Sequence, residues 1–270
     1  LLTGLYFNKP DGLFNGMINP LVPYGIKGAI WYQGESDAAN GDYSLKQQRL
    51  VSSWRRLWGE GAFPFYIVQL APCGSGLDSL PNFWTQQYDA AARIPNCGMA
   101  STIDIGDINN IHPKNKHDVG RRLALLALRG TYGRSELLAS GPTFNSVVFD
   151  GASAEVLFDN CGSGLVTKDG KSPDSFELAG EDKSFFPASA SIEGKKLILK
   201  AAGVAAPRYV RFAWSGIASP NLRNVEGLPA LPFNTAHPYF QSNLPIAVKL
   251  AKIVKENGSS FLGVVLRNQT

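Results

Sequence analysis

The chain has 270 residues, 44% of them hydrophobic, and a formal net charge of +4. Its charges are scattered and no lysine or arginine run is interleaved with aromatic residues, which argues against nucleic acid as a partner. No apolar stretch reaches the roughly 18 residues of a membrane span, and no secretory signal pattern is present. The three cysteines lack the spacing of a zinc site or a disulfide framework, although one disulfide bridge stays open. We therefore expect neither a metal nor a cofactor.

Up to about residue 135, strand-like and helix-like patterns alternate. Short apolar runs predict buried parallel strands over residues 26–32, 65–71 and 98–104. Three- and four-residue apolar spacing predicts helices over residues 43–58, 83–93 and 116–129. Ser44 and Gln47 are placed as a capping box for the first helix, and Gly59 as its end. This alternation predicts an α/β fold. Such sheets usually have about five or six strands, and only three are predicted here, so we expect the sheet to be incomplete on its N-terminal side.

Two polar clusters follow predicted strands. The segment Gln33-Gly34-Glu35-Ser36-Asp37 comes after the first strand, and His112 follows the third strand through the turn at residues 104–107. The carboxyl ends of parallel strands carry the binding residues of such sheets, so the two clusters are expected to face each other. Histidine can take and return a proton near neutral pH. The pairing indicates an esterase site, but no serine in the sequence stands in a convincing nucleophile motif.

Beyond residue 141 the pattern changes to short alternating runs separated by turns. Strands are predicted over residues 147–149, 154–158, 175–178, 196–199 and 208–214. Turn signals such as Asp169-Gly170 and Glu193-Gly194 lie between them, as a small antiparallel β-sandwich requires. Residues 246–256 fit a short amphipathic helix. We therefore predict three regions, namely an α/β region at 1–135, a β-sandwich at 136–235, and a tail of unknown role at 236–270.

Several motifs together carry a family resemblance. They are LFNGMINPL at 13–21, IKGAIWYQGESD at 26–37, DIGD at 104–107, IHP at 111–113, VGRRL at 119–123 and FELAGED at 176–182, with further matches at 208–214 and 221–232. In this combination the sequence resembles the sialate O-acetylesterase family of SGNH-type hydrolases, whose members remove acetyl groups from sugar hydroxyls. The resemblance implies an SGNH-hydrolase-like parallel sheet with flanking helices, followed by an accessory β-domain.

The resemblance also bears on what the chain lacks. In that family the nucleophile lies in a Gly-Gln-Ser-Asn motif on the first strand, and this sequence contains no such motif. The first residue is Leu1 rather than methionine. We therefore expect residues 1–135 to be the C-terminal part of the esterase domain, with the missing N-terminal part as a partner. The resemblance further implies an acetylated sugar or polysaccharide substrate and an extracellular or periplasmic location.

Site roles follow from the chemistry of acyl transfer, which needs a base, an acid that orients it and donors for the oxyanion. His112 is the predicted base. The family often carries aspartate two or three residues earlier, where this chain has Asn109 and Asn110. The acid is therefore open between Asp107 and Glu35, and Asn110 is a neutral substitute. By resemblance, Gln33 and Gly34 supply oxyanion or substrate contacts.

Three other interpretations compete with these roles. Ser36 begins an elbow-like Gly-x-Ser pattern, but Ala38 stands where the second glycine is required, so we expect Ser36 to make a helix-start hydrogen bond. Trp84, at a predicted loop-to-helix junction, is a candidate for stacking on a sugar ring. A different function is also open, that of a non-catalytic carbohydrate-binding protein derived from the esterase fold.

Overall fold

A computed structural model of the protein describes residues 11–74 and 79–242. It is a mixed α/β structure with one parallel sheet and several antiparallel sheets. The chain divides into two compact units. Of the described residues, the first unit contains those up to 140 together with 215–219, and the second contains 141–214 and 220–242. The predicted helix at 246–256 lies outside the described residues.

The first unit is built on a three-stranded parallel sheet in the order β1-β2-β3. The strands are β1 (Ala29–Trp31), β2 (Phe65–Val68) and β3 (Cys97–Ala100). The helices are α1 (Tyr43–Trp58), α2 (Leu80–Arg93) and α3 (Lys116–Gly130). The predicted order of strands and helices is confirmed, including the end of α1 at Gly59, which adopts a left-handed φ of 67°. A short π-helix (Phe14–Ile18) and two 3₁₀ turns (Asn19–Leu21 and Glu35–Asp37) complete the regular elements of this unit.

Helices cover both faces of this sheet. Phe65 and Ile67 of β2 lie in a buried cluster with Val51 of α1 and Ala90 of α2. Alternate residues of a strand point to opposite faces, and Tyr66 accordingly meets the end of α3, where its hydroxyl lies 2.8 Å from Thr131 Oγ1. The central strand is therefore buried on both faces, which explains its continuous apolar run.

The strand β2 is shorter than predicted because side chains of α2 replace ladder partners at Leu70. Gln87 Oε1 accepts a hydrogen bond from the Leu70 amide at 2.9 Å, and Trp84 Nε1 donates to the Leu70 carbonyl at 2.7 Å. Leu70 therefore leaves the β2 ladder although it remains buried, whereas the Gln69 amide still donates to the Ala100 carbonyl of β3. Trp84 is 2% exposed, and its indole N–H is bonded to the Leu70 carbonyl. The prediction that Trp84 stacks on a sugar ring is therefore wrong.

The start of α1 also differs from its prediction. The N-cap residue is Asp42, and it makes no side-chain capping hydrogen bond. Gln86 Oε1 of α2 instead accepts hydrogen bonds from the amides of Tyr43 at 2.6 Å and Ser44 at 3.4 Å. Ser44 Oγ donates to Asp89 at 2.6 Å. The predicted capping box is therefore wrong, because α2 supplies the acceptor that a local glutamine was expected to provide.

The second unit consists of antiparallel strands. One sheet has the order β4-β5-β10-β9, a second β13-β11-β7-β8, and β12 pairs with β6. The bounds are β4 (Thr143–Asp150), β5 (Ser153–Asp159), β6 (Leu165–Thr167), β7 (Phe176–Ala179), β8 (Phe185–Pro187), β9 (Ser189–Glu193), β10 (Lys196–Lys200), β11 (Tyr209–Phe212), β12 (Leu222–Asn224) and β13 (Phe233–Asn234), and a short helix α4 (Pro238–Ser242) follows. Each of the five predicted strand regions coincides with one of these strands.

Aromatic side chains join the two four-stranded sheets of this unit. Phe144 of β4 stacks on Phe233 of β13 with ring centroids 4.4 Å apart. Phe158 of β5 meets the same ring edge-on, and Phe212 of β11 lies 6.1 Å from it. The two four-stranded antiparallel sheets therefore share an aromatic core.

The three cysteines are all in the described part of the chain. Cys73, Cys97 and Cys161 form no disulfide bridge, so the bridge left open by the sequence does not occur. Burial raises the pKa of the Cys97 thiol to about 11, which keeps it protonated.

Within residues 11–74 and 79–242, no helix is both long and apolar enough to cross a membrane.

Candidate active site

The candidate site lies at the carboxyl end of the parallel sheet. The Gln33 loop (residues 33–37) follows β1, and the His112 loop (residues 104–115) connects β3 to α3. Lys116, the first residue of α3, places its ammonium 4.8 Å from the ring centroid of Tyr32, which directly precedes Gln33. Because this cation–π contact joins the root of one loop to the end of the other, the two polar clusters share one end of the sheet, as predicted.

Side chains hold Gln33 firmly. Its Nε2 donates to Asp37 Oδ2 at 3.2 Å, and the hydroxyl of buried Tyr43 donates to its carbonyl oxygen at 2.9 Å. Asp37 also pairs with Lys46 at 3.1 Å. The Tyr43 hydroxyl accepts a hydrogen bond from Trp31 Nε1, so each member of this network is tied to α1 or to β1.

Gly34 is required by its backbone angle and by its neighbours. Its φ is 147°, a value that side-chain-bearing residues rarely adopt. A Cβ atom at this position would lie 2.7 Å from Cε1 of Phe83 and closer still to Cζ. The Gly34 amide donates to the Glu35 carboxylate at 3.1 Å. This amide is therefore held in place as a hydrogen-bond donor, and its acceptor in the structure is a carboxylate oxygen of Glu35.

The pKa values of three side chains in and around the Gln33 loop are shifted. Burial, together with the nearby Glu35 carboxylate, raises the pKa of Tyr32 to about 12. Burial likewise raises the pKa of Tyr43 to about 12, so both phenols stay protonated donors at neutral pH. Burial acts to raise the pKa of Asp37, but hydrogen bonds from Gln33 and Lys46 outweigh it and hold that pKa below its usual value.

Ser36 lies exposed within the 3₁₀ turn Glu35–Asp37. Gly34 holds the N-cap position of this turn, which has no side-chain capping bond. The predicted helix-start hydrogen bond of Ser36 is therefore wrong. Among the described residues, no hydrogen bond joins the Ser36 hydroxyl to a histidine or a carboxylate.

The His112 loop is shaped by its own side chains. Asp107 Oδ1 accepts from the Asn109 amide at 2.9 Å, and Asn110 Oδ1 accepts from the His112 amide at 2.9 Å. Both are Asx-type turns, in which a side chain replaces a backbone acceptor two residues before the donor. His112 itself is exposed. In the described part of the chain, no hydrogen bond joins its ring to Asp107, Glu35 or Asn110.

An ion pair not anticipated from the sequence fixes the start of this loop. Arg122 of α3 donates to both carboxylate oxygens of Asp104, at 2.7 and 2.8 Å, and to the Ser101 carbonyl at 2.6 Å. The arginine side chain is only 4% exposed. A bidentate pair of this kind fixes orientation as well as distance, so Arg122 holds the turn that leads to His112.

A second buried polar group missed by the sequence analysis lies where β2 and β3 end. Ser101 Oγ donates to Gln69 Oε1 at 2.6 Å, and Thr102 Oγ1 donates to the Gln69 carbonyl at 2.6 Å. These three residues directly follow two apolar strand runs, and that switch from apolar to polar was the signal that could have identified them. They connect the ends of the two strands below the candidate site.

The described residues contain no group of three or more histidine, cysteine, aspartate or glutamate side chains arranged to hold a metal ion. What the arrangement offers is a histidine, two carboxylates and a constrained glycine amide at one end of a sheet. These are parts of acyl-transfer chemistry, in which a proton carrier and oxyanion donors act on a carbonyl group.

Comparison with known proteins agrees with this chemistry. Residues 6–129 match the model of a family described as carbohydrate esterase, sialic acid-specific acetylesterase. The chain is 35% identical over 156 residues to a sialate O-acetylesterase of Homo sapiens, covering 50% of this chain and 30% of that protein. It is 36% identical over 151 residues to the Mus musculus protein of the same name, covering 48% and 28%.

A solved structure extends the similarity. It is the crystal structure of a carbohydrate acetylesterase from Xanthomonas citri, which is 40% identical to this chain with a TM-score of 0.78. The match covers 83% of this chain and 53% of that one. The chain thus spans about 30% of the length of the curated relatives and about half of the solved structure.

Proposed function

We propose that the chain belongs to the sialic acid-specific acetylesterase family of carbohydrate esterases, whose model residues 6–129 match. On this premise, we propose that it hydrolyses acetyl esters on sugar hydroxyls by a serine–histidine mechanism. The observation that carries the proposal is the meeting of the Gln33 and His112 loops at one end of the sheet, through Tyr32 and Lys116. A base on one loop and an oxyanion donor on the other are what acetyl transfer to a serine requires.

In this mechanism His112 is the base. It removes the proton from the serine hydroxyl as the serine oxygen attacks the acetyl carbonyl carbon, and it then gives that proton to the departing sugar oxygen. Water, deprotonated by the same histidine, releases acetate from the acyl-serine. The exposed position of His112 leaves its ring accessible to both partners.

The oxyanion contacts are assigned to Gln33 and Gly34. The Gly34 amide already donates to a carboxylate oxygen at 3.1 Å, which supports its ability to hold a negatively charged oxygen. For the reaction, the Glu35 carboxylate would leave this amide to the substrate. Gln33 Nε2 is a second donor on the same loop, held at present by Asp37.

The acid that orients His112 is assigned to Asp107 or Glu35. Asp107 lies in the same loop and keeps Oδ2 beyond its turn-forming bond, which uses Oδ1. Glu35 stands on the facing loop and is released whenever the Gly34 amide takes up an oxyanion. Both are compatible with the mechanism, so the choice between them is left to mutation.

The nucleophilic serine is proposed to lie outside this chain, in an N-terminal part of an SGNH-type esterase domain whose C-terminal part is residues 1–135. The edge strand β1 supports this proposal. Its Ile30 is 68% exposed although its register partner Tyr66 is buried under α3. An exposed aliphatic side chain on the sheet face that α3 covers at β2 fits a further segment of the domain that packs on this face at β1.

The remaining assignments follow from the same premise. Residues 136–235 are proposed as an accessory β-domain, and an acetylated sugar or polysaccharide as the substrate. Since such substrates lie on cell surfaces and in polysaccharide matrices, an extracellular or periplasmic location is proposed with them.

The proposal is tested by acetate release from O-acetylated sialic acid and from acetylated xylo-oligosaccharides, measured on the protein with its native flanking sequence. Turnover of either substrate, blocked by a serine-directed phosphonate, is the expected result. Binding of the deacetylated sugars without any acetate release from either ester would contradict it and favour a carbohydrate-binding protein.

A further inference from the structure

A cleft of about 420 Å³ lies in the first unit beside the His112 loop. Its floor includes Pro72, which follows β2. One wall is formed by residues 105–108 and 113–115 of the His112 loop, and the other by residues 217–219. Ligand pockets in proteins measure roughly 300–1,000 Å³, so the cleft is large enough for a small ligand.

The two walls are held by the segment between them. The Cys73 amide donates to the Gly216 carbonyl at 2.9 Å, and the Gly74 amide donates to the Ile108 carbonyl at 2.8 Å. A Cβ atom at Gly74 would lie 2.6 Å from that Ile108 oxygen. The cleft is therefore formed by close backbone packing in the free protein, which reduces the ordering cost of binding.

The lining combines apolar and polar groups. Ile108 on one wall is 57% exposed and Ile217 on the other is 59% exposed. Asp107 and Lys114 contribute a carboxylate and an ammonium group. A sugar ring presents an apolar face of C–H groups and a rim of hydroxyls that both donate and accept hydrogen bonds. The aliphatic side chains match the face, the carboxylate accepts from hydroxyls and the ammonium donates to them.

We propose that this cleft binds a sugar ring in the alcohol part of the ester, and that residues 215–219 determine which ring fits. This inference rests on the proposed function, because His112 directly precedes the lining residue Pro113 in the sequence and would act on an acetyl group carried by the bound ring. The segment 215–219 lies outside residues 6–129, which match the family model. One wall of the cleft is thereby supplied by a segment outside the part of the chain that matches the family model.

The first test fills the cleft with Ile217→Trp in the full-length protein. We measure kcat/KM for acetylated xylo-oligosaccharides and for 4-nitrophenyl acetate, which has no sugar ring. The ratio of the two is expected to fall about tenfold, since blocking a ring contact weakens sugar binding while the acetyl chemistry is untouched. Val225→Trp in the second unit is the matched control, since Val225 is 55% exposed, and should leave the ratio unchanged.

An unchanged ratio in Ile217→Trp, or the same fall in Val225→Trp, would overturn the inference while leaving the esterase function intact. Saturation-transfer NMR of the same proteins with N-acetylneuraminate and xylobiose provides a readout that needs no turnover. Wild type should give a signal with at least one sugar, and Ile217→Trp should lose it. No signal from wild type at millimolar sugar would also overturn the inference. Sugar binding without acetate release would support the cleft as a sugar site and contradict the proposed esterase function.

Discussion

The Gln33 loop and the His112 loop lie at the same end of one sheet but are held differently. Gln33 is bonded to Asp37 and Tyr43, and Gly34 packs against a buried phenylalanine ring. In the His112 loop, Asp107 and Asn110 bond only the backbone of their own turns, and the histidine is exposed. The difference teaches that substitution of the anchoring residues Gly34 and Tyr43 should reduce stability, whereas substitution of the exposed His112 should reduce activity and leave stability nearly unchanged.

The largest effect on activity is expected for His112→Ala. Loss of the base should lower kcat for acetate release about 10³-fold or more, because the serine proton then has no acceptor. The unfolding midpoint in urea should stay close to that of wild type. His117→Ala is the control, since His117 is also exposed and lies on α3. Near-normal turnover of His112→Ala would remove this histidine from the mechanism.

The largest effect on stability is expected for Gly34→Ala. The added Cβ meets the Phe83 ring and requires an unfavourable φ, so the free energy of unfolding should fall by about 2–5 kcal/mol. Urea denaturation measures this change. Gly41→Ala is the matched control, because no atom lies within 4 Å of a Cβ built there. Equal stability of the two variants would show that the Gln33 loop is not constrained as described.

A smaller effect on activity should identify the acid partner of His112. Asp107→Asn and Glu35→Gln each retain an oxygen that can accept the hydrogen bond from Asn109 or Gly34, so these variants remove charge rather than shape. One of them should lower kcat about tenfold or more, and the other less than about threefold. Small and equal losses would leave both carboxylates without a catalytic role.

The smallest effect is expected for Tyr43→Phe. Its hydroxyl bonds Gln33 and Trp31, and deletion leaves these partners unsatisfied in a partly buried site. The free energy of unfolding should fall by about 1–2 kcal/mol. Tyr24→Phe, at a position that is 76% exposed, should change it by less than about 0.5 kcal/mol. A Tyr43→Phe protein as stable as this control would contradict the side-chain anchoring of the Gln33 loop.

Hydrophobic periodicity was sufficient to predict the order of the strands and long helices in the first unit and five of the ten described strands in the second. It failed where side chains from distant segments replaced local partners. Gln86 caps α1 in place of the predicted capping box, and Gln87 and Trp84 take the backbone groups of Leu70 out of the β2 ladder. Such pairings join residues far apart in sequence, so no local pattern contains them.

The candidate site shows the same division. That polar residues follow β1 and β3 could be predicted, because the ends of parallel strands share one edge of a sheet. The Asp104–Arg122 pair could not, since its members are 18 positions apart and only the packing of α3 brings them together. Trp84 was misjudged because a position near a strand end does not reveal whether the side chain is buried.

The most direct test of a serine–histidine esterase whose serine lies outside this chain is labelling with a fluorophosphonate, followed by peptide mapping. We would label the 270-residue chain, a version that includes native upstream sequence, and the His112→Ala form of that longer version. The account predicts no specific adduct on the 270-residue chain, an upstream serine adduct on the longer version, and much slower labelling in His112→Ala. A specific adduct on a serine within residues 1–270, or labelling unaffected by His112→Ala, would contradict it.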